Sequence, residues 1–263
     1  MKLDVYAPGY TLGFATVVCV VCSLFVAAST VLLKDRQRLA QNLYVQKNVL
    51  LDVTGLAPAG DTGVNRADLF RERIEARLVD TRTGEYAKDA GVDPLAYDQR
   101  RASTDPQQSH EVPENPAEVR RVANLATVYL VKDGDGYSQV VVPIRGKGLY
   151  SVLHGFLALD RDMTTIRGIA FYEHGETPGL GGEVTNPEWR ALWPGRKVYG
   201  PEGNVRIELV KGKAGPPEAS PFQVDALAGA TATSDGVTNM LHFWLGEHGF
   251  KPYVQKVRER GTL

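Results

Sequence analysis

Residues 126–144 read ATVYLVKDGDGYSQVVVPI, and the fold turns on how that stretch is taken. Two runs rich in β-branched and aromatic residues, 127–131 and 137–142, flank Asp133-Gly134-Asp135-Gly136. Asp-Gly pairs accept the positive φ that tight hairpin turns require, so the stretch predicts two antiparallel strands back to back. Downstream, FLALD (156–160) and IRGIAFY (166–172) predict a second pair, and VRIELV (205–210) a further strand. PEWRALW (187–193) predicts a short helix with proline in its first turn. The last helix is predicted over 234–245, with Val237, Leu241, Trp244 and Leu245 as its apolar stripe and Gly246 or Gly249 as its stop. This pattern predicts an α+β domain, an antiparallel sheet with helices on it.

Upstream the chain changes character. TLGFATVVCVVCSLFVAASTVLL (11–33) carries no charge over 23 residues, more than the roughly 20 needed to cross a bilayer. It follows a short tail, 1–10, and reads as a retained anchor in membrane lipid rather than a cleaved signal, since apolar residues continue past the small Ala27-Ala28-Ser29. A helical connector is expected over 34–60, with Leu39, Leu43 and Leu50 near one face and Gly55 as a stop before Pro58. The remaining 61–263 is expected to be one soluble domain. It opens with a helix in ADLFRERIEARL (67–78), where Phe70, Ile74 and Leu78 repeat every four residues and Asp68 can act as the start. Residues 84–116, rich in Asp, Pro, Gln and Ser, predict a mostly irregular insertion.

Composition narrows the function. The 263 residues carry 30 basic and 31 acidic side chains, a net charge of −1, without the basic excess of a nucleic-acid binder. The two cysteines, Cys19 and Cys22, both lie in the apolar run, which excludes a disulfide framework or a thiolate metal site from the rest. Their CxxC spacing fits a redox motif, but inside an apolar helix it also fits two small hydrophobes. Lys34, Arg36 and Arg38 follow the anchor while only Lys2 precedes it, so positive flanking charge places the large C-terminal part in the cytoplasm.

Two stretches carry chemistry. In DALAGATATSDGV (225–237) three hydroxyls, Thr231, Thr233 and Ser234, crowd a helix entrance. A helix N-terminus presents unpaired N–H groups and a positive dipole end, which suits a phosphate. Gly229 permits close approach, and Ala228 and Ala230 leave room. The competing account is that Thr233 or Ser234 caps the helix and Thr231 is incidental. In EHGETPGLGGEV (173–184) four glycines and a proline follow a strand; the loop suits a flat ligand clasped by backbone, or is ordinary turn material. It is neither a P-loop nor a dinucleotide fingerprint. His174 between Glu173 and Glu176 is a poor metal set, and no metal is expected.

DALAGAT resembles the flavinylation motif Asp-Gly-x-Ser-Gly-Ala-Thr of the FMN-binding domain family, and HGETPGLGGE resembles that family's flavin-side loop. The anchor, the length and FWLGEHGF…KVR together resemble the C subunits of sodium-translocating NADH:quinone reductases. Serine is usual at Ala228 and glycine at Ala226; Asp225 and the threonine are kept. The resemblance implies FMN joined covalently, by a phosphoester, to Thr231. By matching the family's positions it implies a flavin slot from Glu176, Thr177, Leu180 and Gly181, a contribution from Leu149 and Tyr150, and roles for Asp225, Gly229 and Ala230. Lys211 is a candidate neighbour of the ring and equally an ordinary surface lysine.

The resemblance further implies a subunit that binds neither NADH nor quinone itself. It would pass electrons singly between the other subunits of a six-subunit, sodium-pumping, ubiquinone-reducing complex of the bacterial inner membrane. A separate flavin transferase using FAD would attach the cofactor. The family's soluble domain faces the periplasm, against the charge count at 34–38. Two alternatives stay open: the flavoprotein subunit of the related ferredoxin–NAD electron-transport complex, and an anchored module without cofactor that holds partner proteins together.

Overall fold

The computed structural model describes residues 8–44, 48–57, 63, 65–87 and 90–263, with the side chains of 8–10 and 31–44 outside that description. It divides into two units, 1–46 and 47–263. The first is one helix, α1 (Pro8–Tyr44), whose Thr11–Thr30 segment is long and apolar enough to cross a membrane, with a mean hydropathy of 2.3. Cys19 and Cys22 are free thiols on it. Residues 1–7 of the expected 1–10 tail, residues 45–47 and 58–60 of the 34–60 connector with Pro58, and the side chains of Lys34, Arg36, Arg38, Leu39 and Leu43 lie outside the described residues.

The second unit is built on a five-stranded sheet in the order β1-β4-β5-β6-β7, every pair antiparallel. Its strands are β1 (Ile74–Asp80), β4 (Leu125–Asp133), β5 (Gly136–Lys147), β6 (Val152–Asp160) and β7 (Ile166–Glu173). The Asp-Gly turn joins β4 to β5 as expected, and the 156–160 and 166–172 runs fall in β6 and β7. Two small pairs complete the strands: antiparallel β2 (Ser109–Glu111) with β3 (Arg121–Ala123), and parallel β8 (Glu208–Val210) with β9 (Gln223–Asp225). The helices are α2 (Leu50–Val53), α3 (Arg66–Arg73), α4 (Gln99–Ala102), α5 (Pro187–Arg190), α6 (Thr231–Trp244) and α7 (Lys251–Arg260). The domain is α+β, and Val140, Val142, Leu157, Val237, Met240, Leu241 and Trp244 sit in one core.

Several local expectations are corrected. The helix drawn over 67–78 stops at Arg73, and Ile74 and Leu78 belong to β1. Ile74, Ala76 and Leu78 also alternate, and pairing along β4 decides between the two periods. Asn65, not Asp68, starts α3, its side chain accepting the N–H groups of Ala67 and Asp68. Within 84–116 most residues are irregular, but α4 and β2 are regular. The 205–210 strand is reduced to β8, and its partner is parallel.

The helix drawn over 234–245 begins three residues earlier, at Thr231, and is not the last. Chain direction changes after Leu245, and Pro252 in the first turn of α7 starts a helix that buries Tyr253, Val254 and Val257. Gly236 allows α6 to lie on the end of β5: a Cβ there would sit within contact distance of the Lys147 carbonyl oxygen and 3.1 Å from Gly148 Cα.

Candidate functional site

Three segments far apart in sequence meet at the end of the sheet where β5 stops and β6 begins. They are the 148–151 turn, the 174–185 loop after β7, and the entrance to α6. One carboxylate joins them. Glu176, only 5% exposed, accepts the backbone N–H groups of Leu149, Tyr150 and Ser151 at 3.2, 3.0 and 3.0 Å. It also accepts the Ser151 hydroxyl at 3.1 Å and the Thr233 hydroxyl at 2.7 Å. Ser151 Oγ in turn accepts Gly175 N–H at 2.7 Å. Burial alone pushes the Glu176 pKa up, but the hydrogen bonds from Thr233, Ser151, Tyr150 and Leu149 outweigh it and hold the pKa below the ordinary value. Glu176 is therefore an anion at neutral pH, and each donor is charge-assisted.

The glycines beside it are there for space. A Cβ on Gly148 would lie 2.7 Å from Glu176 Oε1, and one on Gly181 2.5 Å from Thr233 Oγ1 and 2.9 Å from Glu176 Oε2. Gly181 thus backs the Glu176–Thr233 contact. Around this buried anchor the rim is apolar and open: Leu149, Tyr150 and Leu180 are 47%, 68% and 43% exposed. An exposed apolar cluster on a polar-surfaced domain marks a place where something binds. Thr177 is exposed, and its carbonyl accepts the N–H groups of Leu180 and Gly182. Gly229, at φ +71°, brings the α6 entrance to Leu180, whose Cδ2 would lie 3.1 Å from a Cβ at 229.

The helix entrance itself corrects an expectation. Ala230 is the N-cap of α6, and no side chain caps the helix. Thr233 is turned inward to Glu176. Ser234 Oγ accepts Leu227 N–H and donates to the Ala230 carbonyl, each at 3.0 Å. Thr231 is exposed, in the first turn of the helix rather than ahead of it, beside N–H groups that lack intrahelical acceptors.

Asp225 and Lys211 lie at the ends of the small parallel pair, Asp225 closing β9 and Lys211 following β8. The Asp225 carboxylate accepts Ala214 N–H at 2.8 Å, and its carbonyl accepts Trp189 Nε1–H at 2.9 Å. Its cross-strand partner is Val210, the residue before Lys211. Lys211 is exposed and makes no hydrogen bond or ion pair among the described residues. His174 accepts Glu176 N–H through Nδ1 at 3.3 Å, and among the described residues no three His, Cys, Asp or Glu are grouped to hold a metal.

Sequence reasoning missed the brace beneath these loops. Arg145, His154 and Glu173 lie in register across β5, β6 and β7. Arg100 from α4 bridges Glu173 in both oxygens and donates to His154 Nε2 at 2.7 Å. Burial and the Arg100 charge hold His154 down at about 4, so it stays a neutral acceptor. This row holds together the strand ends from which both site loops depart. Ser151, Thr233 and Ser234 were likewise missed as site partners; the only signal was the surplus of hydroxyls at the helix entrance.

The segment that contains all of these loops has relatives. Residues 148–246 match the FMN-binding domain family. The chain is 45% identical, over 252 residues and 95% of each chain, to the C subunit of the Na(+)-translocating NADH-quinone reductase of Pseudomonas aeruginosa. The chain belongs to the family of C subunits of these reductases. The Yersinia pestis member of that family is 43% identical, across 95% of this chain and 93% of its own. The fold agrees with the crystal structure of Shewanella oneidensis NqrC at a TM-score of 0.73 and 35% identity, covering 81% of this chain and 98% of that one. The similarity to these members runs over nearly the whole length of the chain.

Proposed function

We propose that this chain is the electron-carrying flavoprotein subunit of a sodium-pumping NADH:ubiquinone oxidoreductase, with FMN joined to Thr231 by a phosphoester. The observation that carries the reading is a coincidence of position. Within the segment matching the FMN-binding domain family, one exposed threonine stands at an uncapped helix N-terminus, next to an exposed apolar rim. The parts fit such a group. Free N–H groups and the dipole of α6 favour phosphate oxygens, and Leu149, Tyr150 and Leu180 offer an apolar surface that excludes water from a flat ring. Attachment is balanced as a phosphoryl transfer: the Thr231 hydroxyl displaces AMP from FAD, a threonine P–O bond replaces the pyrophosphate bond, and the hydroxyl proton passes to the flavin transferase. Bound FMN supplies the capacity to take and give electrons one at a time.

In this reading α1 anchors the chain as a single pass in the inner membrane and the domain works in the periplasm, between its neighbours in an assembly of six subunits. The test is the intact mass of wild type and Thr231→Ala made in cells containing the transferase. Wild type should carry the mass of FMN less one water, and the variant should be folded, membrane-bound and colourless. Unmodified wild type would refute the proposal.

A further inference from the structure

We infer that Thr233, acting through Glu176, is a positioning residue for flavin attachment: the pair fixes the first turn of α6 so that Thr231 faces outward. The inference rests on the proposed role of Thr231 and concerns a residue that the flavinylation motif does not contain.

The geometry separates the two threonines. Two steps along a helix turn a side chain by about 200°, so burying Thr233 directs Thr231 to the opposite side. Thr233 is 1% exposed and its hydroxyl lies 2.7 Å from Glu176 Oε2. Packing alone does not explain a hydroxyl there, because valine has the same shape and no polar atom to desolvate. The partner does explain it. Glu176 is a buried anion held by five donors, four from the 148–151 turn and the fifth Thr233. Without the fifth, the carboxylate still holds the turn but no longer holds the helix. Gly181 and Gly148 leave the space that lets the three segments close on it. Thr233 therefore ties the acceptor's helix to the turn carrying Leu149 and Tyr150, the surface proposed for the ring. A reacting hydroxyl set in place before its partner arrives gains rate from orientation.

The full-length, flavin-free chain in detergent, given transferase and FAD, reports this through the rate at which its intact mass shifts. Thr233→Val should slow attachment by about tenfold, the scale of one charge-assisted hydrogen bond, and Thr233→Ser should restore it to within about twofold. Glu176→Gln should slow it comparably, and the double variant should be no slower than the slower single variant, since both break one link. Thr233→Val at the wild-type rate, or Thr233→Ser as slow as valine, overturns the inference. If Thr233→Val does not fold, Glu176→Gln decides it: attachment at the wild-type rate in that variant overturns the inference too. Wild type that never gains mass instead removes the proposed function on which this rests.

Discussion

Helices α3, α4 and α5 begin with a side-chain cap, and α6, for all its hydroxyls, does not. At α3 and α5 the side chains of Asn65 and Asn186 accept first-turn N–H groups. At α6 three hydroxyls stand within the first four residues, yet none caps the helix. The difference is one of competing partners. A cap contributes about 1 kcal/mol, whereas a hydrogen bond to a buried charge contributes roughly 1.5–3 kcal/mol. Thr233 is therefore drawn to Glu176, Ser234 is occupied by Leu227, and the N-terminus of α6 stays open to an outside anion. A helix start rich in capping residues but uncapped is one whose polar groups have been assigned elsewhere.

The comparison is broken most severely by unseating α6. Helix propensity favours Gly236→Ala by about 1 kcal/mol, but the new Cβ would press on the backbone of Lys147 and Gly148, which cannot rotate away. Overpacking of that kind costs about 3 kcal/mol or more, so denaturant unfolding of the detergent-solubilised chain should show a net loss near 2 kcal/mol. A gain in stability would mean that α6 can shift on the sheet. Ser234→Ala comes next. It leaves the N–H of buried Leu227 without its acceptor, for which about 1–2 kcal/mol is expected. Acid sharpens the same contrast. Because the folded Glu176 pKa is depressed below 4.5, its stabilisation is present above that value and is lost as pH falls through the lower folded value. Thr233→Val should weaken that acid dependence, and Asn65→Ala should leave it unchanged.

The sheet was legible because its signals are local. Asp133-Gly134 and Asp135-Gly136 announce a turn, and the runs on either side of it are rich in β-branched residues. Where two periods coexist, as at Ile74, Ala76 and Leu78, local pattern favoured a helix and the neighbouring strand overruled it. Helix α7 was lost because its stripe of Tyr253, Val254 and Val257 is too short to stand out among charges. At the candidate site, motifs single out Thr231, Gly229, Glu176 and Leu180, and the fold brings their segments together. The role of Glu176 was not legible. Its five donors come from residues 149–151 and 233, and no spacing rule connects those numbers. His154 was invisible for the same reason, since its partners are set by strand register and by α4.

Smaller effects sharpen the comparison at its two ends. Asn65→Ala removes a working cap and should cost about 1 kcal/mol, read by the same unfolding measurement. Thr231→Ala should change the stability of the flavin-free chain by less than about 0.5 kcal/mol, as for an exposed position that anchors nothing. The side chain makes no hydrogen bond among the described residues, and alanine is the better helix former. The same substitution should abolish the proposed flavin attachment completely. That separation of a negligible structural effect from a total chemical one is what an open helix start implies. A loss above about 1 kcal/mol in the flavin-free variant would instead show that Thr231 helps to seat α6, as Thr233 and Ser234 do, and that the three hydroxyls do not divide their work.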